Sequence, residues 1–466
     1  MSLTQDITST SYSSRDVKHL TEAIAKVLLI TLPLGFLISS TCCDIGLTGI
    51  DLCFLSHCVI TNDTTWIKQP WFKACMAFWL YICISSFASI DPAIAFYKSI
   101  TFVRFPIFTS ALANWLLPNQ RLQSMMIKSM ALCVTFASID LAVEYATGTH
   151  LLGILKQLLL IGGQPINVTL PWEFPGVHRL SGISNKLNIG GKLTMILPPV
   201  LVYLAELKPK KPIHQWALRF LIAFLVAIVP LTGERSAVIT LGLSIIACFI
   251  CIKRLRKEMI YSAMLCLMIL SPIIWLDQGM FYRHTGHIYS VTESVLMSER
   301  KSITTHIDDT DHSKDSSAPY YRILIDNSWQ LFLNHPWVGV GIKQMATTCQ
   351  QEIPDNPNIT YNDQYKFCPT SPANIYLELL TITGIIGFGL FMNIIYHWCY
   401  SLYQNKTKLF NQANPVKPSI MMAILITWFM RFFPFMIGSS IFFSWYALTI
   451  WWLIGWMLAL TRSNAS

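Results

Sequence analysis

Residues 215–252 read QWALRFLIAFLVAIVPLTGERSAVITLGLSIIACFICI, and this stretch decides the fold. Two apolar runs, 215–232 and 236–252, flank one short polar turn that contains Gly233, Glu234 and Arg235. Each run is near the length an α-helix needs to cross bilayer hydrocarbon, so the pair reads as a membrane hairpin. Working outward, comparable runs fall at 22–40, 46–61, 72–90, 92–117, 124–144, 190–206, 258–276, 373–399, 419–438 and 441–461. The run at 46–61 is the weakest, because Asp51 and His57 interrupt it. The expectation is an all-α integral membrane protein with about twelve spans.

Composition agrees. With 53% hydrophobic residues and only 13% charged residues, and a mean hydropathy of +0.47, the chain is not a soluble globular protein. The first twenty residues are polar and no convincing cleavage site follows them, so a signal peptide is not expected. Lysine and arginine crowd three connections, at Lys208, Lys210 and Lys211, at Lys253, Arg254, Arg256 and Lys257, and at Lys406, Lys408 and Lys417. Threading twelve spans puts all three on one side, which the positive-inside bias makes cytoplasmic, along with both termini. The long polar segments 145–189 and 277–372 then lie on the outer face, the periplasm of a Gram-negative cell. The net charge of +9 partly reflects this bias and says little about an anionic ligand.

The whole chain, 1–466, reads as one polytopic membrane domain carrying those two outer loops. In the first loop, Leu151 to Gly162 is apolar but too short to span, which fits an interfacial or re-entrant piece. In the second, Asp308, Asp309, Asp311 and Asp315 sit among Ser and Thr as in a mobile insertion. Most of the 13 cysteines lie in spans, where they act as small hydrophobes. Cys349 and Cys368 lie in the outer loop, where a disulfide is permitted. No Cys/His spacing suggests a metal, and no Walker or dinucleotide loop is present.

Three neighbourhoods carry chemistry. Arg235 opens a helix beside Gly233, so a permanent cation adds to the unpaired amides of a helix start; a snorkelling arginine or a Glu234 partner is the bland reading. Tyr320-Tyr321-Arg322 begins an amphipathic stretch through Ile323, Asp326, Trp329, Phe332 and Leu333, which Asn334-His335-Pro336 ends. An Arg322–Asp326 pair on a solvated helix would explain that arginine without any function, and His335 reads as a turn residue. Gly339 and Gly341 then permit a close backbone turn. Ser371-Pro372-Ala373-Asn374-Ile375-Tyr376-Leu377-Glu378 forms the mouth of the next span, with Gly384 and Gly387 deeper. Arg179 and Lys186 precede the sixth span, and Lys98, Arg104 and Arg431 are cations costly in hydrocarbon, of which Lys98 best suits an anionic headgroup.

The run Asn334 to Gly341, Asn374 to Glu378 and Gly384 to Gly387 resembles the O-antigen ligase and polymerase superfamily, over roughly residues 180–400. That resemblance implies a glycosyltransferase of the bacterial inner membrane, working on its periplasmic face. The donor would be a glycan on undecaprenyl diphosphate and the acceptor the lipid A core, with no cofactor, metal or nucleic acid. Arg235 and Arg322 match the family's two arginines that face the lipid diphosphate. Asn374, Arg179, Lys186 and Lys98 would contribute to substrate binding. The family carries a histidine directly before Asn374, and this chain has Ala373. Alanine accepts no proton, so Ala373 reads either as an inactivating replacement or as a branch that uses another base; the intact surroundings favour replacement. A polymerase or a protein O-oligosaccharyltransferase is the neighbouring alternative. A flippase or transporter for the lipid-linked glycan is the alternative of another class.

Overall fold

The computed structural model describes residues 14–151, 179–184, 188–277, 317–353, 368, 370–372, 374–410, 418–434, 440–442 and 444–461. Among them there is no strand, and the chain is all-α. The helices are α1 (Ser14–Ile38), α2 (Ser40–Thr61), α3 (Pro70–Ser85), α4 (Pro92–Ile100), α5 (Arg104–Ala111), α6 (Gln120–Thr147), α7 (Ile189–Glu206), α8 (Pro212–Leu231), α9 (Arg235–Cys251), α10 (Arg256–Leu276), α11 (Ser317–Asn334), α12 (Met345–Glu352), α13 (Ile375–Gln404), α14 (Pro418–Met430) and α15 (Ser444–Leu460). Among the described residues, eight helices are long and apolar enough to cross a membrane, and the apolar helices at 235–251, 418–430 and 445–460 are shorter. The expected run at 46–61 lies inside an unbroken helix, α2. The expected span at 92–117 is instead divided into α4, a 3-10 turn, α5 and a π-turn at Leu112–Leu116. Pro106 in the first turn of α5 has no amide to give and cannot continue the register of α4. Among the described residues there are thus eight clear candidates and several shorter or broken pieces, which do not confirm the expected count of twelve.

Burial sorts the helices. In α7, 89% of the most apolar window is buried, against 11% in α10, so α7 is central and α10 peripheral. A helix apolar on every side that is also buried on every side belongs inside a bundle. The same is true of α15, which buries Trp451, Trp452 and Trp456 and packs on α5 and α14. Mid-helix Pro198 and Pro199 remove amides from α7, so the carbonyl of Thr194 loses its normal donor. The buried guanidinium of Arg431 donates to that carbonyl at 3.4 Å, and to Thr427 O at 3.4 Å. The cost of a cation in the bundle is thus offset by an orphaned backbone group. Arg104 likewise meets Asp44 at 2.9 Å.

Both ends of α7 are tied by carboxylates. At its C-terminal end, Glu206 accepts from Arg254 and, at 2.5 Å, from Ser419. The connections around 206–212 and 253–256 and the start of α14 at 418–419 therefore share one end of the bundle.

The longest helix, α13, is broken. Gly384 has φ +66° and ψ −174°, and the freed backbone groups are captured by the chain that follows α11. Val340 N donates to Thr381 O at 2.9 Å, Gly341 N to Ile382 O at 2.9 Å, and Ile385 N to Pro336 O at 2.8 Å. The Tyr81 hydroxyl donates to Thr383 O at 2.7 Å and to Trp337 O at 3.2 Å. The two backbones touch because neither Gly339 nor Gly384 has a side chain. A Cβ on Gly339 would lie 2.4 Å from Ile382 C, and one on Gly384 would lie 2.3 Å from Trp337 O. Thr381 Oγ1 also donates to Ser328 O at 3.0 Å, fixing α11 along α13. In the same region Cys349 and Cys368 form a disulfide, joining α12 to the chain that approaches α13.

Gly384→Ala or Gly339→Ala combines positive-φ strain with a backbone clash, and should destabilise the protein by about 3 kcal/mol or prevent folding. Gly389→Ala, in open space on the same helix, should instead gain about 0.5–1 kcal/mol. Thermal unfolding of the detergent-solubilised variants separates the two. Equal effects would contradict the close crossing.

Candidate functional site

The starts of α7 and α9 and the end of α8 lie at the end of the bundle away from Glu206, and the end of α14 carries the contacts to the start of α13. The Thr232–Glu234 turn builds one half. The buried Glu234 carboxylate accepts from Gly190 N at 3.1 Å and Gly191 N at 2.8 Å, so it caps the positive start of α7. Gly190 allows this approach, since a Cβ there would meet Thr232 Oγ1 at 2.4 Å. Arg179 lies 4.0 Å from Glu234. Burial pushes the Glu234 carboxyl above its ordinary range, against the opposing pull of the Gly191 amide and Arg179. Arg235, half-buried, is the first residue of α9, directly after this carboxylate. Glu234 therefore serves α7 and Arg179 and is not simply the partner of its neighbour Arg235.

The segment 179–184 is held by two acids of α6. Glu144 accepts from Ser181 N at 3.1 Å, Ser181 Oγ at 3.0 Å and Gly182 N at 2.6 Å. Asp140 accepts from Ile183 N at 2.7 Å and Leu151 N at 2.8 Å. Charge-accepting bonds of this kind are strong, and they fix where Arg179 emerges. Beneath the segment lies Lys192, fully buried in the first turn of α7, donating to Ser184 Oγ at 3.1 Å and Leu37 O at 3.3 Å.

The head of α13 forms the other half. Asn374 Oδ1 accepts from Tyr376 N at 3.0 Å and Leu377 N at 3.1 Å, the bonds of an N-cap. Its Nδ2 donates to Pro434 O at 2.7 Å, and the Tyr376 hydroxyl bonds Phe432 O. Both contacts join α13 to the end of α14, next to Arg431 and hence to Thr194 of α7. One turn deeper, the buried Glu378 accepts from Ile441 N at 3.0 Å and Ser371 Oγ at 3.4 Å. Ser440 also bonds it. The head of α13 is thus clamped from two sides.

Of the residues singled out by the sequence, Arg179 reaches Glu234 at 4.0 Å, and Arg235 follows Glu234 in the chain as the first residue of α9. Asn374 stands at the same end of the bundle, reached through α14 and α7. Lys98 is exposed in the last turn of α4, over the Tyr97 ring at 5.2 Å, and belongs with Lys343 on another flank of α13. Arg322 lies within α11, six residues before Ser328, and its side chain is outside the described set. Lys186 and Ala373 lie outside the described residues, as do 152–178, 278–316 and 354–367, which hold the interfacial stretch and the aspartate run. His335 bonds Glu352 at 2.8 Å, joining the end of α11 to α12 as a turn residue would. Lys192 escaped the sequence reading. A lone lysine inside an apolar run is itself a signal, since it needs a partner in the membrane.

Chemically, this end of the bundle offers two arginines around a helix start, beside the head of a second helix. Guanidinium groups favour phosphate oxygens, while the first amides of α7 and α13 are already taken by Glu234 and Asn374. Residues 220–392 match the family model described as O-antigen ligase. The match runs from within α8 to within α13, and so takes in Arg235, α11 and the broken helix. No curated protein matches the chain.

Asn374→Ala should cost about 1 kcal/mol through the lost cap, and Asn374→Asp should keep most of it. A melting temperature unchanged by Asn374→Ala would contradict the cap. Because the folded state raises the Glu234 proton affinity, its contribution to stability declines as pH rises above 4.5, the ordinary carboxyl value. The stability difference between wild type and Glu234→Gln should therefore change with pH in that direction, read by melts at several pH values.

Proposed function

On the premise that residues 220–392 belong to the O-antigen ligase superfamily, we propose that the chain transfers a glycan from undecaprenyl diphosphate to the lipid A core. The observation that carries this reading is the gathering of Arg179 and Arg235 at the same end of the bundle as the head of α13. A transferase of this kind handles a charged headgroup at the membrane surface, with the prenyl chain between helices. A flippase for the same lipid would instead favour cations near the membrane midplane.

In this mechanism the acceptor hydroxyl attacks the anomeric carbon and the bond from that carbon to the diphosphate oxygen breaks. The electron pair leaves with the diphosphate, and configuration inverts. Arg235, with Arg179 and Arg322, stabilises the charge that develops on the leaving oxygen, and bidentate guanidinium contacts suit it better than lysine. Asn374 sets the direction of α13, and Lys186 extends the cationic surroundings. No nucleotide is required, because the sugar arrives activated. The hydroxyl proton is the part this chain leaves uncovered. At position 373 a histidine would receive it, and alanine does not.

The proposed setting is the bacterial inner membrane with this site facing the periplasm and both termini in the cytoplasm. The Cys349–Cys368 disulfide supports an oxidising outer compartment, and the clustering of basic connections at the opposite end supports the same orientation. The polymerase reading shares every residue named here and differs in the acceptor alone.

Purified protein supplied with lipid-linked donor and rough lipopolysaccharide tests the proposal. Ala373→His should raise transfer by about 10²-fold or more, as expected for supplying a general base. Adding Arg235→Gln to it should remove most of that gain. A glycan ladder on lipid A core supports a ligase, and longer glycan on the carrier supports a polymerase. Unchanged transfer in Ala373→His would sink the assignment of position 373.

A further inference from the structure

The Glu206 end of the bundle holds a cleft that the transfer chemistry does not use. It has a volume of about 220 Å³ and lies between the end of α7, the first turns of α8 and the start of α10. Its polar lining is Lys208, Gln215, Arg219 and Glu258, and Leu218 and Ile222 are part of its apolar wall. The polar side is firmly built. Arg219 grips Glu258 with both prongs of its fork, Nε to Oε2 at 2.7 Å and Nη2 to Oε1 at 3.1 Å. The same guanidinium lies over the Trp216 ring at 4.8 Å and the Tyr261 ring at 4.4 Å. Gln215 donates to Pro209 O at 3.2 Å, which ties the connection carrying Lys208 to α8.

Charge, level and surroundings select an occupant. Two cations against one carboxylate leave the lining a single positive charge, which a singly charged phosphodiester complements. A diphosphate would bring a second negative charge beside Glu258. Trp216 and Tyr261 are 50% and 41% exposed, as rings at a membrane–water interface are. Along the same two helices Phe220, Met264 and Leu267 are exposed, a surface suited to acyl chains. Lys210 and Lys257 stand exposed nearby in the chain, on the end that the positive-inside bias makes cytoplasmic. We propose that this cleft binds an anionic glycerophospholipid of that leaflet, with its phosphodiester on Lys208 beside the Arg219–Glu258 pair and its acyl chains along α8 and α10. A lipid seated there joins the peripheral α10 to the end of the central α7. The site stands apart from the donor site proposed for the other end of the bundle, and either can fail without the other.

Delipidated full-length protein in neutral detergent is titrated with phosphatidylglycerol, phosphatidylethanolamine and a long-chain prenyl diphosphate, with inorganic phosphate as competitor, and bound lipid is read by native mass spectrometry. Wild type should hold phosphatidylglycerol in preference to phosphatidylethanolamine. Lys208→Gln should weaken phosphatidylglycerol about tenfold, the loss of one charge-assisted hydrogen bond. Lys210→Gln removes the same charge from the same connection outside the cleft, and should change binding by less than about twofold. Equal losses in the two variants would mean diffuse surface attraction and overturn the site. Displacement of the lipid by inorganic phosphate overturns a lipid occupant. Prenyl diphosphate held more tightly than phosphatidylglycerol, and lost in Lys208→Gln, overturns the assignment to a singly charged headgroup.

Discussion

The backbone crossing at Gly384 is the constraint on which the site depends. A helix broken inside an apolar bundle exposes amides and carbonyls that neither lipid nor apolar side chains can satisfy. Here the donors are the amides of Val340 and Gly341 and the hydroxyl of Tyr81, while Pro336 supplies the acceptor for Ile385. The break and the loop are therefore one object, and neither is stable alone. Its consequence is positional. The Ser328–Thr381 and Pro336–Ile385 contacts progress in the same direction along both chains, so α11 follows α13. Arg322 lies six residues before Ser328, and Asn374 lies seven before Thr381.

The second organising element is α7. Its two prolines weaken its own ladder, and its neighbours supply what is missing. Arg431 serves Thr194 O, Glu234 serves the first amides, and Glu206 gathers Arg254 and Ser419 at the far end. A central helix held in this way transmits position from the Glu234 turn to the end of α14, and from there to the head of α13. Several charged groups inside the bundle thus answer a particular backbone deficiency.

Much of this was legible beforehand. Apolar run lengths gave the helical class, and Pro336 marked the end of α11 because proline cannot continue a helix. Gly339 and Gly384 were recognisable as a motif, but their reason is mutual contact across 45 residues of sequence, which no local pattern contains. Span 92–117 read as one helix because its hydropathy is continuous, whereas Pro106 and the Arg104–Asp44 pair divide it. Glu234 looked like a companion of Arg235, and its work at Gly190 and Gly191 depends on amides 44 and 43 residues earlier in the chain. Lys192 was passed over inside an apolar run. The resemblance to the ligase superfamily identified Arg235 as a candidate, but not the clamp of Asp140 and Glu144 that presents Arg179 beside it.

The claim at the centre is that a lipid diphosphate sits at the end of the bundle shared by the Glu234 turn and the head of α13. An electron cryomicroscopy map with a long-chain prenyl diphosphate bound tests this most directly. The account predicts diphosphate density between Arg179, Arg235 and the start of α13, with the prenyl chain leaving between helices. Density instead at the opposite end, among Lys208, Arg219 and Glu258, would contradict it.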